Sequence, residues 1–127
     1  MATSSGQFHE SVDDLRAETR DRHRAIVSLL EELDAVDWYD QRIDATGDHA
    51  LRGILRHNRD EEKEHAAMLL EWLRRRDPTW DTLLRQYLFT ERPIVELASP
   101  DAPLPDRGAG ERPRSLAIGR HPGWETP

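Results

Sequence analysis

Val12, Leu15, Ile26, Leu29, Leu33 and Val36, with Thr19 and Arg22 filling the gap, recur at alternating spacings of three and four. That spacing is the seam of a helix that pairs along its length. Ser11 is placed to cap its start, with Asp14 three residues on as the capping-box acid. The DWYDQRIDATGD stretch breaks the pattern, and with Gly47 as its only glycine it reads as a turn. A second helix is predicted from near Asp48 to Arg76, closed by Arg74, Arg75 and Arg76 at its negative end. Two long helices across a short turn make an antiparallel hairpin. Asp77 and Pro78 then suit the N-cap and first position of a shorter third helix, in which Trp80, Leu83, Leu84, Tyr87 and Leu88 share one face.

Composition bounds this picture. Seven of the eight prolines stand at or after Pro93, joined by Gly108, Gly110, Gly119 and Gly123. The expected organisation is therefore a flexible N-terminus over 1–10, a helical hairpin with its third helix over 11–92, and a Pro-rich disordered tail over 93–127, flexible from about residue 98. The fold class is all-α. At 127 residues, with 34% charged and 36% hydrophobic, a lone monomer is short of core, so burial between copies is expected.

Charge removes some partners. A formal net charge of -7 disfavours phosphate backbones, so no nucleic acid is expected. All but Lys63 of the 18 basic residues are Arg, which suits ion pairs on helix surfaces. There is no cysteine, which leaves only carboxylate and imidazole ligands for a metal. No stretch reaches the roughly 20 apolar residues of a membrane span and MATSSGQFHE has no apolar signal region, so a cytoplasmic protein away from membranes is expected.

The second helix carries the most specific signal. Its seam reads Leu51, Leu55, Asn58, Glu62, His65, Leu69, Trp72, so three polar groups interrupt one apolar stripe. A carboxylate and an imidazole there need a buried partner, and a metal ion is one. Glu62 and His65, one turn apart, can ligate one cation or a close pair. On the first helix Glu32 falls at the margin of the apolar stripe, with Tyr39 about 20° away around the axis. Glu31, Asp34 and Trp38 group on another side as an outer cluster. Di-metal carboxylate bundles use one Glu from each of two helices and a Glu-x-x-His from each of the other two. This chain has half of that set, and two copies about a two-fold axis would complete a four-helix bundle. The same polar residues could instead fix pairing register or meet Arg22. That leaves a metal-free helical adaptor open from spacing alone, beside a passive buffer for zinc or manganese. His9, His23, His49, His57 and His121 have no organised partners and are assigned no chemistry.

EELDAVDWYDQR followed by HNRDEEKEHAAMLLEWLRRR, and on through YLFTERPI, resembles the encapsulated ferritins, ferritin-like ferroxidases packaged inside encapsulin nanocompartments. The resemblance implies that hairpins pair into a ferritin-like four-helix centre and close into a ring of five dimers, a decamer. It implies that Glu32, Glu62 and His65 are iron ligands, two irons per dimer, with Glu62 bridging and Tyr39 beside the centre. Glu31, the acid at 34 and Trp38 would form an outer site through which metal enters. Asp34 stands where the family pattern has Glu, one methylene longer. Within the tail, Ser115-Leu116-Ala117-Ile118-Gly119-Arg120 looks like the C-terminal peptide that docks cargo to the shell wall, with Leu116 and Ile118 on one side of an extended segment. The implied function is oxidation of Fe(II) to Fe(III) with dioxygen. The mineral would be stored by the shell, because a hairpin dimer or ring encloses no cavity.

Overall fold

The computed structural model describes residues 7–98, and among these there is no strand. A 3-10 turn, Val12–Asp14, precedes α1 (Ala17–Ala45), α2 (His49–Arg76) and α3 (Pro78–Tyr87), and a second 3-10 turn spans Ile94–Ala98. The all-α hairpin with a short third helix is thus the observed architecture. The peptide expected at 115–120, with Leu116 and Ile118, lies outside the described residues.

Helix boundaries follow capping chemistry more closely than hydrophobic pattern. Ser11 precedes only the 3-10 turn and its side chain caps nothing, while Leu15 and Arg16 are extended. The first long helix therefore begins at Ala17, five residues later than the apolar spacing from Val12 suggested. It also continues through the DWYDQRIDA segment, which is helix and not turn. The segment contains no glycine or proline, and its lost apolar stripe marks an exposed face.

The connection is only Thr46, Gly47 and Asp48. Asp48 caps α2 by accepting from the Leu51 amide at 2.7 Å, and its own amide donates to Thr46 Oγ1 at 3.2 Å. The Arg52 guanidinium donates to the Thr46 carbonyl at 2.5 Å, satisfying a carbonyl just past the end of α1. Asp77 ends α2 and starts α3: its Oδ1 accepts from Thr79 at 2.9 Å and Trp80 at 3.3 Å, with Pro78 at the first helical position.

Residues up to Leu84 form one compact unit and Arg85 begins a second. In the first, α1 and α2 pack along their length, and Ala25, Ile43, Ala66 and Leu73 are buried. Ala66 and Leu73 each follow a seam residue by one position and Ala25 precedes one, so the contact within the hairpin is rotated about 100° from the seam on both helices. Small side chains at Ala25 and Ala66 let the helices approach. Ile26 (40% exposed), Leu33 (51%) and Leu51 (44%), all seam positions, are left facing out. Across the hairpin, Arg59 reaches Asp40 at 2.9 Å. At the far end Arg74 holds Glu71 at 2.6 Å and also pairs with Asp81 of α3.

In the second unit, Gln86 donates to the Leu97 carbonyl at 2.5 Å and Thr90 Oγ1 to the Tyr87 carbonyl at 3.1 Å. The 3-10 turn Ile94–Ala98 thus lies inside the stretch expected as tail from residue 93, and Leu97 is buried. At the other end, the Phe8 ring stacks on His23 with centroids 4.2 Å apart.

Leu73, at 2% exposure, is the best-buried large side chain. Truncating it to alanine is expected to cost about 2–5 kcal/mol, read as an earlier urea midpoint at unchanged slope.

Candidate metal centre

Glu62 and His65 stand one turn apart on α2, and Glu32 comes from the facing stretch of α1. Each offers one ligand atom, and those atoms all lie within 4.8 Å of one another. This is the only such group of three or more among the described residues. His65 Nδ1 is 3.4 Å from Glu62 Oε2 and 3.5 Å from Glu32 Oε2. Both separations exceed the ~2.9 Å of a strong N–H···O bond, so the acids hold the imidazole only loosely.

The electrostatics are those of a paired acid site. A hydrogen bond from the Glu32 carboxyl to Glu62, aided by burial, raises Glu32 above the ordinary carboxylate range. The same bond lowers Glu62, against the opposing effect of burial. Their proximity thus sets the two proton affinities apart. Burial pulls His65 down, but the Glu62 hydrogen bond and the Glu32 and Glu62 charges together outweigh it and raise His65. A divalent cation held between the two acids would favour both of them in the charged form.

The sequence-predicted residues divide cleanly. Glu32, Glu62 and His65 come together as expected. Glu31, Asp34 and Trp38 are exposed on α1, Trp38 by 53%, and no third ligand joins the two acids in a metal-binding group among the described residues. Tyr39 lies with its ring under the Arg42 guanidinium, 5.6 Å from the centroid. Asn58, the first polar interruption of the seam, is half-buried beside no such group. Of the histidines assigned no chemistry, His57 pairs with Glu61 at 3.0 Å on an exposed stretch of α2, and His121 lies outside the described residues.

The site opens into a groove that sequence reasoning did not foresee. Ala25, Ser28 and Glu32 of α1 face His65, Met68, Leu69 and Trp72 of α2 across it. Met68, one turn beyond His65, is the signal that could have pointed there.

A family model described as EncFtn-like matches residues 7–91. The chain belongs to the EncFtn-like family. Over 101 residues it is 62% identical to the encapsulated ferritin-like protein of Rhodospirillum rubrum, covering 80% of this chain and 72% of that one. Over 95 residues it is 34% identical to the encapsulin nanocompartment cargo protein EncC of Myxococcus xanthus, covering 75% and 73%. The crystal structure of protein NE0167 from Nitrosomonas europaea superposes with a TM-score of 0.67 at 62% identity, covering 68% of this chain and 96% of that one. The EncFtn-like hairpin is therefore the fold of this chain, and it holds one cluster of carboxylate and imidazole ligands. No helix among the described residues is long and apolar enough to cross a membrane.

Proposed function

We propose that this protein is a ferroxidase: two chains together hold two Fe(II) ions on Glu32, Glu62 and His65 and pass their electrons to dioxygen, giving Fe(III) for storage inside an encapsulin compartment. The convergence of Glu32, Glu62 and His65 carries the reading. Support for the setting comes from relatives whose names describe encapsulated and cargo proteins.

The ligands suit this substrate. Two carboxylates and one imidazole per chain are hard to borderline donors, appropriate to an ion held in both oxidation states. Glu62 spans the pair and keeps the metals close enough to reduce one dioxygen jointly. Glu32 closes each metal on the α1 side. Its carboxylate binds the ion in the charged form, offsetting the charge that rises on oxidation. His65 binds as neutral imidazole and adds no charge. Tyr39, seven residues beyond Glu32 on α1, is in this reading the residue beside the centre once two chains have paired. The direct test is aerobic Fe(II) oxidation by the full chain against a Glu32→Ala, Glu62→Ala, His65→Ala triple variant.

Glu31, Asp34 and Trp38 act, in this reading, as an outer site through which iron approaches. Replacing Glu31 and Asp34 by alanine is expected to slow oxidation several-fold while the inner site keeps its metal. Metal analysis of the variant checks this: loss of inner-site metal would merge the two sites into one.

Residues 115–120 serve as the address to the shell, with Leu116 and Ile118 as the apolar contacts. Many copies on one assembly would raise avidity for the shell wall. A chain ending at Ala98 is expected to oxidise Fe(II) at the full rate and to fail to co-purify with a co-expressed encapsulin shell. Normal packaging of that truncated chain refutes the address.

A further inference from the structure

Arg52, Arg59, Ala66 and Leu73 recur every seven residues on α2, each one position after a seam residue. They share the side that meets α1. The far half of this line is apolar, with Ala66 and Leu73 buried, whereas two arginines carry the half toward the turn. Arg52 donates to the Thr46 carbonyl in the connection, and Arg59 Nη1 donates across the hairpin to Asp40 Oδ1 at 2.9 Å. Asp60 accepts from Arg59 Nε at 3.2 Å, so the guanidinium is held from two sides and its direction is set.

The ligand cluster sits where the two halves join. Among the described residues, the ion pairs that tie α1 to α2 are His65 with Glu32 at 3.5 Å and Arg59 with Asp40 at 2.9 Å. These contacts stand eight residues apart on α1 and six on α2, about 12 Å and about 9 Å of helix. Glu62 lies inside that interval, one turn from Arg59. On α1 no side chain between Ala25 and Ile43 is buried, and on α2 none before Ala66. Between the buried ends of the hairpin, the Arg59 pair is therefore the fixed link on the turn side of the cluster. It is internal to one chain, on the side of α2 turned to its own α1, and so does not depend on where a second copy lies.

We infer that Arg59 is a positioning residue of the metal centre: bound to Asp40, it holds α2 at the register against α1 in which Glu32 and Glu62 meet. The inference rests on the reading of Glu32, Glu62 and His65 as that centre. Arg59 acts through the backbone of α2, whose next turn carries Glu62. Without the link, the cation must supply from its own binding free energy the order that the ion pair gives in advance. Metal affinity then falls while the helices persist.

The experiment titrates full-length wild type, Arg59→Gln and Asp40→Asn with Co(II) under nitrogen, following the absorption bands of the bound ion. Arg74→Gln, which breaks the Glu71 and Asp81 pairs at the other end of α2, is the control for a purely structural loss. Arg59→Gln and Asp40→Asn are each expected to bind Co(II) about tenfold more weakly, the low end of the cost of removing groups that orient metal ligands. Arg74→Gln should bind as wild type. Arg59→Lys, which keeps the cation without the fork, should recover to within about threefold of wild type. Equal Co(II) affinity in Arg59→Gln and wild type, or an equal loss in Arg74→Gln, overturns the assignment. So does a loss that follows weaker metal-free association in sedimentation velocity, because the pair would then serve contact between copies. Aerobic Fe(II) oxidation by the wild-type chain separates the two claims: if there is none, the ferroxidase reading falls and the Co(II) titration still decides Arg59. A wild-type chain that binds no Co(II) overturns both.

Discussion

Alanine at Glu32, Glu62 and His65 together is expected to bring aerobic Fe(II) oxidation down to the rate of iron free in the same buffer, a loss of about 100-fold or more. Changes to residues that merely orient metal ligands already cost about 10–100-fold, and here the ligands themselves are removed. Glu62→Ala alone should come close to the same floor, because it takes away the bridging carboxylate and the hydrogen-bond partner of Glu32. The fold should survive. Glu32 and Glu62 are partly exposed and His65 is exposed, so no core volume is lost, and two acids that repel each other are relieved. Far-UV circular dichroism should therefore stay helical while bound iron, read by elemental analysis, falls away. A metal-free adaptor would show the same iron content before and after. A passive metal buffer would lose iron without any wild-type oxidation above background to lose.

The fold was legible where the chain carries local chemistry and obscure where tertiary packing decides. Asp48 and Asp77-Pro78 are readable as helix starts because a short acceptor side chain followed by open amides has one favoured use, and both caps are made. The two ends of α1 were misjudged for the same reason in opposite directions. Val12 and Leu15 share the helical spacing yet sit in a 3-10 turn and an extended residue, because periodicity says which face is apolar and not where hydrogen bonding begins. Trp38 to Ala45 lacks the spacing yet is helical, since nothing in it stops a helix. The packing within the hairpin was hidden because alanine announces nothing in a hydrophobic pattern. Ala25 and Ala66 mark the close approach, and only the structure distinguishes them from the exposed Ala67.

The candidate centre was legible in proportion to its cost. A carboxylate and an imidazole on an apolar stripe are expensive to desolvate, so Glu62 and His65 stand out from one sequence alone. Glu32 needed the helical angle as well, and the two helices do bring it to His65. Glu31, Asp34 and Trp38 carry no such signal, because acids on an exposed face cost nothing there. Tyr39 shares the Glu32 edge within about 20°, and within the single hairpin its ring meets the Arg42 guanidinium.

Rate per chain is expected to fall as the protein is diluted, because a single hairpin offers one Glu32 and one Glu-x-x-His where a di-metal bundle needs two of each. The apolar surface left over by the hairpin supports the same expectation. Ile26, Leu30, Leu33, Leu51 and Ile54 are each at least 40% exposed, and water contact on that scale is relieved by pairing with another copy. If ligands come from both chains, metal binds the pair and not the monomer, so Fe(II) under nitrogen must shift the equilibrium toward the pair. At 100-fold excess over its dissociation constant a ligand contributes about 2.7 kcal/mol, close to a hundredfold in the association constant. Sedimentation velocity with and without Fe(II), at concentrations spanning the transition, reads this directly. Glu62→Ala should keep its metal-free association and lose the response to iron, separating apolar pairing from metal pairing. A monomer that keeps the full rate per chain at high dilution would show that one hairpin suffices.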